Sequence, residues 1–207
     1  ILIYDNNKII KREKHKFIPK KEFKVKGNYK HFMEKEIFEQ PISIEDTILN
    51  FADKKRKVVY LPKTNIKFNE FSNIIIIGCG TAYHSCMVAK YWIEEMTDFN
   101  VSIDIASEYR YRKNKVNKNS LGIVVSQSGE TMDTLKCLNK FKKNNIFTIS
   151  IVNVLNSSIA RLSDFILPTL AGPEIGVAST KAFTSQLSVL ALFVLNLQQG
   201  SKKINSI

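Results

Sequence analysis

The sequence predicts an α/β fold, a three-layer α/β/α sandwich built on a five-stranded, mostly parallel sheet. Three observations carry this expectation. Apolar runs such as Ile74–Ile77 show no polar alternation, the pattern of strands covered on both faces of a parallel sheet. Segments with apolar residues at helical spacing lie between those runs. The regular alternation of the two patterns marks βαβ units, whose crossovers place helices over a parallel sheet.

The elements follow in order. Residues 1–30 carry ten basic and three acidic side chains, a net of +7 out of +12 for the 207-residue chain. Such an arm suits a nucleic acid or an anionic surface, or serves as a Lys-rich linker. It holds little Arg, no Gly/Arg repeat and only thinly spread aromatics (Tyr4, Phe17, Phe23). That composition favours the linker and makes a nucleic-acid partner unexpected. His31 to Gln40 reads as a helix stopped by Pro41. Ser43, with Asp46 three residues on, caps a second helix whose Ile44, Ile48 and Phe51 share a face. Lys54 to Ser72 is polar, basic and irregular, and reads as a surface excursion.

Ile74–Ile77 then opens the sheet and ends in Gly78-Cys79-Gly80. A helix follows with Ala82, Cys86, Ala89, Ile93 and Met96 on one stripe. Val101–Ile105, a short segment Glu108 to Arg112, and Leu121–Val125 come next. A helix showing Thr134, Leu135, Leu138 and Phe141 on one face leads to Ile146–Val152, and Asp164–Leu167 is a short fifth strand. The last helix keeps Phe183, Leu187, Leu190, Val194 and Leu197 at helical spacing and is nearly as apolar elsewhere, so it is expected to be packed on several sides.

Composition narrows the class. With 44% hydrophobic and 24% charged residues, wholesale disorder is excluded; 8 Gly and 3 Cys exclude collagenous and disulfide-rich scaffolds. Cys79, Cys86 and Cys137 form no CxxC and have no His at zinc spacing, and Cys86 and Cys137 fall inside amphipathic patterns as buried hydrophobes of a reducing compartment. No carboxylate cluster resembles a metal site, and no cofactor is expected. The apolar run Leu187 to Leu197 is about half of the ~20 residues a bilayer crossing needs, and no secretory signal opens the chain. A cytoplasmic location is expected. The chain starts at Ile and reads as a piece of something longer.

In open parallel sheets ligands bind outside the carboxyl ends of the strands, near a topological switch point. Two loops at such ends are unusual. One is Gly78-Cys79-Gly80-Thr81-Ala82; the other is Ser126-Gln127-Ser128-Gly129-Glu130-Thr131, which runs straight into a helix. A helix N-terminus offers free N–H groups and a positive dipole end, and three hydroxyls with an amide beside it suit a phosphate on a small polar ligand. Taken singly each loop has a structural reading: glycines after a strand make tight turns, and Ser126 caps a helix. The full GxGxxG and GxxxxGK[ST] patterns are absent. Two Ser/Thr-rich loops on one sheet edge favour a phosphate pocket.

Ala171 to Lys181 is an irregular run of small residues before the last helix, the kind that caps an interface or closes over a ligand. Ser179 and Thr180 are candidate caps. Glu174 and Lys181 read as ion-pairing charges in preference to a general base and a Schiff-base amine. His84 near the first loop reads as packing in preference to catalysis.

These stretches resemble a known family. His31-Phe-Met-Glu-Lys-Glu-Ile-Phe-Glu-Gln-Pro41, Gly78 to His84, Ile105 to Arg112, Ser126 to Thr131 and Ala171 to Gln186 are similar to the isomerase half of glutamine–fructose-6-phosphate aminotransferases, in particular its first sugar-isomerase (SIS) domain. The Ser-x-Ser-Gly-x-Thr pattern alone indicates only an SIS domain; the first and last stretches are more specific. The resemblance implies a flavodoxin-like SIS fold over 29–207 with a helical lead-in at 29–53. It makes 1–28 the end of an upstream glutaminase-like domain plus a basic linker, with 1–17 as its last strand and exit.

It also implies chemistry. The family releases ammonia from glutamine, channels it to a site formed by two SIS domains, and makes glucosamine 6-phosphate from fructose 6-phosphate. Carried over by motif, Thr81, Ser126, Gln127, Ser128 and Thr131 hold the sugar phosphate, while Val177 and Ser179 approach the sugar. Subunits pair through the isomerase domains, so a homo-oligomer is expected. One departure is Ala82, often Ser in the family, which removes a hydroxyl worth about 1.5–3 kcal/mol to a charged ligand. The ring-opening histidine, the proton-shuttling glutamate and the Schiff-base lysine belong to the second SIS domain and its tail, so this piece is expected to be inactive alone. A second reading is a non-catalytic SIS-domain sugar-phosphate sensor joined to a regulatory or DNA-binding module, supported only by the basic arm.

Overall fold

The computed structural model describes residues 3–5, 8–10, 26–53, 55, 58–61, 66–113 and 116–200. Strands β1 (Ile3–Asp5) and β2 (Lys8–Ile10) pair antiparallel. The rest of the arm through residue 25 lies outside the described residues, and the linker and nucleic-acid readings fall there.

Helices α1 (Phe32–Phe38) and α2 (Gln40–Leu49) form the lead-in. Here the sequence reading needs correction. Pro41 does not end a helix over 31–40 but sits in the first turn of α2, where its missing N–H has no helical partner to lose. Ser43 therefore lies inside α2, buried, and donates its Oγ to Gln40 O at 3.0 Å instead of capping. The expected surface excursion also departs from its pattern. Its described part pairs β4 (Val58–Val59) with β3 (Ala52–Asp53) just before it, buries Leu61, and sets Phe68 edge-on against Phe193 at 5.7 Å. Scattered apolar side chains in a polar segment leave no periodic signal, yet they close one end of the core.

The remaining elements are β5 (Asn73–Gly78), α3 (Thr81–Met96), β6 (Asn100–Ile105), α4 (Ala106–Tyr109), β7 (Ser120–Ser126), α5 (Met132–Lys143), β8 (Phe147–Val152), α6 (Ser158–Leu162), β9 (Phe165–Pro168) and α7 (Lys181–Gly200). The five main strands, β5 to β9, lie in the order β6-β5-β7-β8-β9, every pair parallel. β7 is buried along its whole length, which explains its unbroken apolar run. The sheet separates two cores. On one face Cys86, Ala89 and Ile93 of α3 and Leu190, Phe193 and Leu197 of α7 pack on Ile74, Ile76, Ile123 and Ile149. On the other, α4, α5 and α6 bring Tyr109, Cys137, Leu138, Phe141 and Ile159 against Ile77 and Val124. Burying each such aliphatic or aromatic side chain contributes about 1.5–3 kcal/mol.

Cys86 and Cys137 are fully buried, and burial pushes both thiols up to about 12, helped at Cys137 by Cys79. They pack as hydrophobes. Of the expected α7 face Leu190, Val194 and Leu197 are buried, and the buried surface extends to a neighbouring stripe. Ala182, Gln186, Val189, Leu190 and Phe193 face inward, while Phe183 and Leu187 are half-buried. Among the described residues no helix is long and apolar enough to cross a membrane.

Chain direction sets where a ligand goes. β5 has β6 on one side and β7 on the other. The connections leaving β5 and β7 therefore diverge, and a crevice opens between their carboxyl ends.

Candidate functional site

The crevice is a cavity of about 230 Å³ at the carboxyl edge of β5 and β7. All seven residues singled out from the sequence, Thr81, Ser126, Gln127, Ser128, Thr131, Val177 and Ser179, line it. Cys79, Glu174, Gly176 and Gln186 join them. A larger hollow of about 390 Å³ lies at the opposite edge, beside Asn73, Asn100 and Ser120. Helices of βαβ units end their C-termini at that edge, so its field disfavours anions.

Two helix N-termini open onto the crevice. α3 starts from Gly80, which has no side chain to cap with, and α5 from Thr131, whose side chain makes no capping bond. Their first N–H groups are thus available to a ligand. Ser126 is not a helix cap: it is the last residue of β7, and its Oγ accepts from Gly129 N at 3.1 Å and lies 3.0 Å from Thr131 Oγ1. Ser128 Oγ accepts from Glu130 N at 3.2 Å, which leaves its hydroxyl proton free to point at a ligand. Gly129 holds φ +65°, and a Cβ there would overlap Ser157 Oγ. Only glycine permits this turn.

Charge is steered away from these two termini. Glu130 turns to α6 and accepts from Ser158 N at 2.7 Å, a backbone bond that holds its carboxyl below the ordinary value. Asp133, in the first turn of α5, is paired with Arg110.

The start of α7 is built differently. Glu174 Oε1 accepts from Thr180 N at 2.9 Å, Ala182 N at 3.2 Å and Ser179 Oγ at 3.4 Å. The carboxylate thus fills the N-terminus that Ser179 and Thr180 were expected to cap. Ser179 Oγ donates to that carboxylate and Thr180 Oγ1 is buried without a hydrogen-bond partner among the described residues, because the loop carries Glu174 into the anion position first. Lys181 does not pair with Glu174. It is 5% exposed and its Nζ bonds Glu39 Oε2 at 2.7 Å. Burial raises the Glu39 carboxyl, but the hydrogen bond and charge of Lys181, with Lys35, outweigh this and hold it below its ordinary value.

Glu36, 2% exposed, also holds this loop. Its carboxylate accepts from Ile175 N at 2.5 Å and from Gly176 N at 3.1 Å. A Cβ at Gly176 would stand 2.6 Å from Glu36 Oε2, so a larger residue there would displace the carboxylate from its N–H donors. Two carboxylates of α1 and its C-cap therefore fix the loop that presents Val177 and Ser179. Val177 is fully exposed at the cavity rim and Ser179 is half-buried. His84 is exposed and does not line the cavity. Among the described residues no group of three or more His, Cys, Asp or Glu is placed to hold a metal. Sequence reasoning missed Gln186, although an amide on an apolar helical stripe was the available signal.

Residues 67–196 match the family model of the SIS domain. The chain belongs to the SIS-domain family. The chain is 46% identical over its whole length to glutamine–fructose-6-phosphate aminotransferase (isomerizing) of Brucella abortus biovar 1 (strain 9-941), and spans 34% of that protein. It is 49% identical over 85% of its length to the same-named protein of Bartonella quintana (strain Toulouse), covering 29% of it. Among solved structures, the C-terminal domain of glucosamine-fructose-6-phosphate aminotransferase from Francisella tularensis superimposes with a TM-score of 0.80 at 46% identity, over 86% of this chain and 51% of that one. Glucosamine-6-phosphate deaminase from Thermotoga maritima shares the fold, with a TM-score of 0.67 at 23% identity over 84% of this chain and 50% of that one. The chain thus spans about a third of the length of the aminotransferases it matches.

Proposed function

We propose that this SIS domain binds the sugar phosphate in an enzyme that forms glucosamine 6-phosphate from fructose 6-phosphate and glutamine. The observation that carries the reading is the pair of open helix N-termini facing one cavity lined by hydroxyls. Two positive dipole ends and their free N–H groups suit a phosphate, and the donor set brings no permanent charge. The 46% identity to an isomerizing aminotransferase supports the ligand class.

In this reading Thr81, Ser126, Gln127, Ser128 and Thr131 hold the phosphate. Ser126 and Thr131 brace the loop, Ser128 donates its free proton, and Val177 and Ser179 face the sugar. Ala82 leaves the α3 side with one hydroxyl fewer than the family pattern. Residues 29–207 form the first SIS domain, with 1–28 as the connector from an upstream domain. Lys181 is engaged by Glu39 and does not supply a reactive amine. The groups that open the ring and move its protons come from a second SIS domain and its tail, so turnover requires the longer protein. The assembly is a cytoplasmic homo-oligomer.

Thermal unfolding of the chain tests this directly. Millimolar fructose 6-phosphate or glucosamine 6-phosphate raises Tm, because a ligand bound only by the folded state stabilises it by mass action. Free fructose leaves Tm unchanged. A folded chain whose Tm no sugar phosphate shifts overturns the reading.

A further inference from the structure

Gln186 stands where an apolar residue is expected. It lies on the inward stripe of α7 with Ala182, Val189, Leu190 and Phe193, and is 1% exposed. Yet it borders the cavity. Its Oε1 is 3.5 Å from Ser85 Oγ, at the outer limit of a hydrogen bond. That hydroxyl already gives its single proton to Ala82 O at 2.7 Å. The neighbouring Ser185 Oγ is buried without a hydrogen-bond partner among the described residues. Burying a primary amide with so little bonding is costly, and a Leu or Met of similar size would join the stripe without that cost.

The surroundings indicate which part of a ligand the amide meets. The open N-termini of α3 and α5 and the Ser126–Thr131 loop provide the phosphate end of the cavity. Gln186 lies one turn beyond the start of α7 that Glu174 fills, and that carboxylate repels a phosphate dianion and leaves the α7 side to the neutral part of the ligand. An amide offers both donor and acceptor, the complement of a hydroxyl or carbonyl. We infer that Gln186 is a specificity-determining residue that hydrogen-bonds an oxygen of the sugar, and not the phosphate, of the bound sugar phosphate. The inference rests on the sugar-phosphate reading of the cavity.

Titration of the full chain and its Gln186→Met variant with fructose 6-phosphate and, separately, inorganic phosphate tests it. The variant is expected to bind fructose 6-phosphate about tenfold more weakly and inorganic phosphate equally well. Equal losses for both ligands, or no loss for either, overturn the inference. Should Gln186→Met fail to fold, the side-chain amide resonance of the unaltered chain decides. Movement with fructose 6-phosphate but not with inorganic phosphate supports the contact; equal movement, or none, overturns it. If the unaltered chain binds phosphate but not fructose 6-phosphate, the parent reading fails and this inference with it. Binding of fructose 6-phosphate with an indifferent Gln186 removes this inference alone.

Discussion

The N-termini of α3 and α5 and that of α7 carry the same dipole at the same cavity, and the chain treats them oppositely. At α3 and α5 no N-cap side chain occupies the first N–H groups, and the nearby acids are diverted to Ser158 and Arg110. At α7 Glu174 accepts from two backbone N–H groups, and Glu39 neutralises Lys181. An open terminus waits for an external anion; a filled one is a structural joint. Under the proposed function, the phosphate belongs to one wall of the crevice and loop anchoring to the other.

Gly129→Ala is the largest perturbation of the open wall. The Cβ collides with Ser157 at a positive φ, so a loss of about 2–4 kcal/mol in urea unfolding is expected. The Tm rise with fructose 6-phosphate should vanish with it. Ser128→Ala is milder. One hydrogen bond to a charged group, about 1.5–3 kcal/mol, is lost from binding, or roughly 10-fold or more in Kd by calorimetry. Its own stability should hold, because Ser128 accepts only one local loop bond.

On the filled wall, Glu174→Gln keeps an acceptor and removes the charge. A loss of about 1 kcal/mol in stability is expected from the helix-terminus interaction. If this variant instead abolished phosphate binding while folding normally, the division between the walls would be wrong. The smallest effect is acid sensitivity. The Glu39 carboxyl is held below its ordinary value in the folded chain, so its contribution is complete above about pH 4.5 and is lost as pH falls through the lowered value. Urea midpoints from pH 6 to 3 should fall less steeply for Glu39→Gln than for the unaltered chain.

The same two walls differ in how much their sequences disclosed. The open wall is local: each loop follows directly on an apolar strand and enters a helix, so Thr81 and the Ser126–Thr131 run could be placed at a strand end from pattern alone. The filled wall depends on contacts across about 140 positions, such as Glu36 with Ile175 and Gly176. In the Phe32–Phe38 helix Glu34 and Glu36 look alike as residues. Only the loop packed on Glu36 makes it buried. Gln186 escaped for the converse reason, since the apolar neighbours that conceal it define its helix face. Pro41 misled because a proline in a first helical turn and one that ends a helix differ in backbone conformation, not in local composition.

Among the described residues, the cavity wall contains one formally charged side chain, Glu174, and no Lys or Arg. Attraction there comes from fixed backbone dipoles acting at contact range and not from mobile cations reaching into solvent. Ionic strength screens exposed charges separated by more than about 8 Å at physiological salt, and the hydroxyl and N–H donors proposed to meet the anion act well inside that distance. Occupancy should therefore change little between dilute buffer and physiological salt.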